Sequence, residues 1–144
     1  MLRLNKETDY AIRVILALAK CPQGEIFPSQ VIRQEMDLPR ALSIQIISHL
    51  AHKDLINTYP GRNGGIQLAR PAREITLHQV ICAVEGPLIL SECLEEDHTC
   101  QFAPHCPVQV RWIDLQGVIE RELKAVNFDV LVNEIPFASA KDVQ

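Results

Sequence analysis

Six residues, Pro60-Gly61-Arg62-Asn63-Gly64-Gly65, separate two short runs with strand character, Leu55–Tyr59 and Ile66–Leu68. Three glycines in that segment give the backbone wide access to positive φ, and short strands joined this way form a hairpin. The segments around the hairpin follow a helical period. Thr8–Lys20 places Ala11, Ile12, Ile15, Leu16, Leu18 and Ala19 at helical spacing, and Cys21-Pro22-Gln23-Gly24 ends the run. A short helix over Ser29–Met36 is opened by Pro28, and Asp37-Leu38-Pro39 makes a turn. A third helix over 40–53 sets Leu42, Ile46, Ile47 and Leu50 toward a core and leaves Arg40, Ser43, Gln45, His49 and Lys53 for another face. Two short helices, a tight turn, an amphipathic helix and a Gly-rich hairpin are, in order, the parts of a winged helix-turn-helix. The expected fold is mainly α with a small β-wing, completed by a long C-terminal dimerisation helix.

The C-terminal half carries its own signals. Thr76-Leu77-His78-Gln79 is a capping box, in which the Thr hydroxyl and Gln amide satisfy each other's free backbone N–H groups. Gly86-Pro87 stops the helix that follows. Residues 88–106 read as a loop, and Pro107 suits the first position of a helix over 107–126. Val108, Trp112, Leu115, Ile119, Leu123 and Val126 form one continuous apolar stripe on that helix. Such a stripe is long for a small domain to cover alone, so Trp112, Leu115, Ile119 and Leu123 are expected at a homodimer interface. The chain divides into a DNA-binding domain (1–86), a cysteine-bearing loop (87–106), a dimerisation helix (107–127) and a C-terminal tail (128–144).

Charge supports a split of roles. The net charge is −4, but residues 1–73 hold ten Lys/Arg against six Asp/Glu, and residues 74–144 hold four against twelve. The positive half suits a phosphate backbone, particularly when a dimer doubles it. A helix over 40–53 fits a major groove roughly 12 Å wide, where Gln can pair with adenine and Arg with guanine. Arg40, Ser43, Gln45 and His49 are the candidate base or phosphate contacts. Arg62 at the hairpin tip is suited to the minor groove or a phosphate. Ser29 and Gln30, at a helix start with free N–H groups, are candidate phosphate contacts. Pro39 and Gly64 are counted with the same surface. The expected partner is a double-stranded DNA operator.

No stretch approaches the roughly 18–20 apolar residues of a membrane span, and no signal-peptide pattern follows the short run Val14–Ala19. The expectation is a cytoplasmic protein without a membrane partner. No nucleotide loop, nucleophile elbow or pair of carboxylates in a Gly-rich frame is present, so an enzyme is not expected.

Five cysteines, an odd number, do not suggest a disulfide framework. Cys21 and Cys82 read as small buried apolar residues. Cys93, Cys100 and Cys106 fall within fourteen residues. Zinc sites usually pair their ligands at shorter spacing. Iron–sulfur clusters are held by thiolates, and a loose loop can wrap one. Three thiolates leave one position for His, carboxylate or solvent. Thiol redox sensing without metal is the other chemistry open to these residues.

Two stretches carry a family resemblance. Leu4-Asn5-Lys6-Glu7-Thr8-Asp9-Tyr10-Ala11-Ile12-Arg13 resembles the opening helix of the IscR/NsrR-type winged-helix regulators. Gly61-Arg62-Asn63-Gly64-Gly65-Ile66-Gln67-Leu68-Ala69-Arg70 resembles their wing, with Ile66 where an aromatic is usual. Pro60 stands where IscR-like members commonly have Arg, and Ile44 where IscR has an acidic base-reading residue. The resemblance spans nearly the whole chain. It implies a homodimeric transcription regulator with an iron–sulfur cluster on Cys93, Cys100 and Cys106, 2Fe-2S favoured over 4Fe-4S. IscR-like members take a fourth ligand from a His three residues after the last Cys, and here that residue is Gln109. NsrR-like members take it from an Asp in the partner's first helix, which matches Asp9. Glu7, His98 and His105 are alternatives. The implied role is sensing iron–sulfur status, redox state or nitric oxide, with genes of iron–sulfur cluster biogenesis as targets. The alternative is a cluster-free thiol- or partner-responsive winged-helix repressor.

Overall fold

The computed structural model describes residues 3–103 and 105–134. Helix α1 (Lys6–Ala19) is the spine of the fold and buries Thr8, Ala11, Val14, Ile15 and Leu18. It starts two residues earlier than its apolar period indicates because Asn5 caps it: the Asn5 side chain accepts the Thr8 N–H at 2.8 Å. The same turn is tied to the far end of α4 (Leu77–Glu85). Glu85 Oε1 accepts both the Thr8 hydroxyl, at 2.6 Å, and the Asn5 N–H, at 2.8 Å. Thr8 is fully buried, and these bonds satisfy its hydroxyl.

Helices α2 (Ser29–Glu35) and α3 (Arg40–His52) are joined by a turn in which Asp37 adopts φ +48°. Asp tolerates this left-handed conformation better than most residues. Strands β1 (Ile56–Tyr59) and β2 (Gly65–Leu68) pair antiparallel, with Ile56 opposite Leu68 and Tyr59 opposite Gly65. Phe27 and Ile66 exchange two backbone hydrogen bonds of 2.8 Å, which fasten the wing to the segment that opens α2. This approach needs glycine: a Cβ on Gly65 would lie 2.0 Å from the Phe27 carbonyl oxygen, and one on Gly64 2.0 Å from that of Tyr59.

The capping box at Thr76 forms with both bonds, Gln79 N–H to Thr76 Oγ1 at 3.3 Å and Thr76 N–H to Gln79 Oε1 at 2.9 Å. Gly86, at φ +83°, ends α4. Helix α5 (Pro107–Ala125) follows the cysteine loop and buries no residue along nineteen.

The segment expected as a C-terminal tail from 128 begins instead with helix α6 (Phe128–Glu134); residues 135–144 of that segment lie outside the described residues. The physical reason is Phe128, a fully buried side chain in the core built on α1. Two bonds lead it there, Leu77 N–H to Val126 O at 2.9 Å and Phe128 N–H to Ile75 O at 3.0 Å. The chain beyond α5 thus returns to the N-terminal unit and completes its core.

Candidate functional site

Helix α3 buries Ser43, Ile46 and Leu50, and Leu42 and Ile47 pack partly buried against the same core, so the inward face holds the four apolar residues read from the sequence and Ser43 as well. Ser43 is therefore corrected: its side chain is buried and its hydroxyl donates to the Arg40 carbonyl at 2.7 Å. It cannot reach a base edge. A serine can sit inward because it satisfies itself on the preceding turn. The outward row is Arg40, Ala41, Ile44, Gln45 and Ser48. Nothing in the chemistry of Ala41 and Ser48 marks an interface, and Ile44 is marked only by its place in the family resemblance. The structure shows all three exposed on the face opposite the core.

Two polar candidates on α3 are engaged by α1. Gln45 Nε2 donates to Glu7 Oε2 at 3.3 Å. His49 Nδ1 lies 3.1 Å from Glu7 Oε1, an ion pair when the ring is protonated. These two facing atoms are shut off from solvent and make no aligned hydrogen bond. Gln45 remains exposed, whereas His49 is half-buried. Pro39, the residue before α3, is exposed. On α2, Gln30 is exposed and Ser29 half-buried. Arg62 stands exposed in the wing loop. Gly64 contributes the turn itself, where its missing Cβ lets the loop close.

The cysteine loop is pinned at both ends. Cys93 lies in a short 3-10 turn (Glu92–Leu94), with its Sγ 3.2 Å from the Ser91 hydroxyl. Gln109, in the first turn of α5, donates its amide to the Cys93 carbonyl at 3.0 Å. Cys106 is the residue preceding α5, and the Cys100 carbonyl accepts the Ala103 N–H at 3.2 Å. All five thiols are free and half-buried. The donor set suits an iron–sulfur cluster in chemistry, three thiols on one loop with no disulfide among them. Their placement does not gather them: among the described residues, no three Cys, His, Asp or Glu side chains converge to hold one metal ion.

Asp9 points away from the core, 57% exposed, in an i,i+4 pair with Arg13 at 3.0 Å. Glu7, by contrast, faces α3. His98 and His105 are exposed on the loop. Cys21 and Cys82 stand apart from this group. Burial pushes both thiols up from their ordinary range, helped at Cys21 by Glu25. Cys21 Sγ bonds the Ala17 carbonyl at 3.2 Å, and Cys82 Sγ lies 3.5 Å from His78 Nε2.

The apolar stripe of α5 divides. Trp112 and Leu115 are exposed, as are Val108, Val110, Ile113 and Val118. Ile119 and Leu123 are half-buried and line a groove with Leu4, Ile81, Leu88 and Ile89 of the same chain. Among the described residues no helix is long and apolar enough to cross a membrane.

Known proteins give this arrangement its context. The chain is 33% identical over 129 residues to the HTH-type transcriptional regulator NsrR of Shouchella clausii, covering 86% of this chain and 79% of that one. It is 30% identical over 109 residues to NsrR of Oceanobacillus iheyensis, covering 75% and 74%. Among solved structures, CymR of B. subtilis, described as its global cysteine regulator, matches with a TM-score of 0.75 at 23% identity, over 94% of this chain and 99% of that one. IscR of T. potens matches with a TM-score of 0.69 at 20% identity, over 99% and 97%. These two share the winged-helix fold, and the sequence relatives are regulators rather than enzymes. The family described as iron-dependent transcriptional regulators matches residues 4–134, and the chain belongs to that family, Rrf2.

Proposed function

We propose that the chain is a homodimeric regulator that reads a pseudo-palindromic duplex through α3 and the wing, and whose DNA affinity is set by the loop cysteines. The observation that carries this reading is the outward row of α3, open along its length beside an exposed wing that holds Arg62. In a dimer each α3 enters a major groove of one half-site. Arg40 and Gln45 serve base or phosphate contacts, Arg62 the backbone or minor groove, and Gln30 and Ser29 a flanking phosphate. Trp112 and Leu115 pair across the α5 interface.

Cys93, Cys100 and Cys106 are the residues that would hold an iron–sulfur cluster, with Asp9 of the partner subunit as fourth ligand. A bound cluster supplies a thiolate-ligated iron centre whose potential depends on its ligands and exposure. Asp9 suits the role better than Glu7, because its carboxylate is exposed and held only by a surface Arg13, whereas Glu7 is committed to α3. Glu7 and Asp9 sit on the same turn of α1, so a pull on that turn reaches Gln45 and His49. That turn couples the loop to the DNA-reading helix. Regulation then requires two states of different DNA affinity.

The test is purification without oxygen from iron-replete cells. A coloured species with visible absorption, iron and acid-labile sulfide is expected, and it should be lost when Cys93, Cys100 and Cys106 are replaced by Ser. Colourless, iron-free protein from that preparation overturns the cluster. One observation favours a second reading, a cluster-free thiol sensor: the three thiols stand free and apart. Under that reading DNA binding responds to oxidant but not to iron.

A further inference from the structure

We infer that Ile44 is a specificity-determining residue that reads the 5-methyl group of a thymine in each half-site. The inference rests on the DNA-binding reading of α3 given above. Ile44 is 61% exposed, more than any other large apolar side chain among the described residues except Phe102. It occupies the centre of the outward row, four residues from Arg40 and four from Ser48. Its neighbours on that row, Ala41 and Ser48, are small, so the isoleucine stands proud of them.

The polar side chains that flank it are partly withdrawn. Glu7 takes one N–H of Gln45 at 3.3 Å and faces the His49 ring at 3.1 Å, drawing both toward α1. Between the exposed Arg40 and Gln45 the helix thus presents a branched hydrocarbon at the centre of its outward row. Such a group cannot pair with N7, O6 or N4, and pressing it against them strands polar edges without partners. The one apolar feature on the major-groove edge of the bases is the thymine methyl. Hydrocarbon against methyl removes both from water and leaves no polar atom unpaired. The other side of the site is compatible with this, since Gln45 retains its carbonyl oxygen and one N–H for a neighbouring base.

The experiment uses the full-length chain purified without oxygen. Preferred duplexes are first selected from a random-sequence library. Each thymine of the winning half-site is then replaced in turn by uracil, which differs only in the methyl group, and affinity is measured for wild type and for Ile44→Ser. Because Ile44 packs on nothing that folding requires, the variant should melt with the wild type. For wild type, one thymine per half-site should lose about fourfold on losing its methyl, and about fifteenfold when both half-sites are changed, as expected for one buried methyl each. In Ile44→Ser the same replacement should have no effect. A uracil penalty that persists in Ile44→Ser, or the absence of a penalty at every thymine, overturns the assignment while leaving the DNA-binding reading intact. Failure of wild type to enrich any sequence overturns both.

Discussion

Glu7 engages Gln45 and His49 of α3 from a neighbouring element, and Ser43 on the same helix is buried. The residue types alone do not separate such roles. A serine and a histidine both look like solvent-facing candidates until the helix phase is known. Ser43→Ala should change DNA affinity less than threefold, and its stability by about 1 kcal/mol, the net worth of one hydrogen bond. Operator binding and thermal melting measure the two separately. The cysteines divide in the same way. Cys21 and Cys82 carry thiols raised by burial, which lowers the thiolate fraction, so at neutral pH both should alkylate slowly with iodoacetamide. Cys21→Ser and Cys82→Ser should keep full iron and sulfide content. Loss of iron in either variant would mean that the ligand set extends beyond the loop.

At the scale of elements, the parts with local signatures were legible. The Gly-rich hairpin, the capping box at Thr76, the Gly86 stop and the Pro107 start each depend on a few adjacent residues, and each is found where those residues stand. The rest depended on contacts distant in sequence. Ser43 is buried on α3 although its residue type does not mark it as inward, and α6 forms because Phe128 reaches a core built on α1, more than a hundred residues away. A seven-residue helix with one deeply buried aromatic has too few turns to announce itself by period. Phe128→Ala should lower stability by about 3–5 kcal/mol, as for other buried aromatics, and denaturant unfolding of the N-terminal unit should show it. A loss below about 1 kcal/mol would mean that α6 is not part of that core. Cys93, Cys100 and Cys106 stand close together in sequence, but among the described residues no three Cys, His, Asp or Glu side chains converge to hold one metal ion.

At the scale of the whole molecule, α5 is nineteen residues long and buries none of them within one chain, while its exposed apolar side chains run from Val108 to Val118. In the proposed dimer, an interface with a second copy would cover that surface and would also set the spacing of two α3 helices on one duplex. Trp112→Asp should leave the fold intact, since Trp112 is exposed, and convert the dimer to a species of 16.2 kDa in sedimentation. Binding to a palindromic duplex should fall at least tenfold with it. A Trp112→Asp protein that remains dimeric would move the interface elsewhere. The charge split fits the proposed dimer, in which the positive half would face DNA while the acidic half carries the loop and α5.

The central claim is that the cysteine loop controls how tightly α3 and the wing hold DNA. It is tested most directly by anaerobic fluorescence anisotropy on a selected duplex, comparing the full-length chain as purified from iron-replete cells with the same sample after iron chelation. The two dissociation constants should differ at least tenfold, and replacing Cys93, Cys100 and Cys106 by Ser should abolish the difference. Equal affinities for both samples would contradict it.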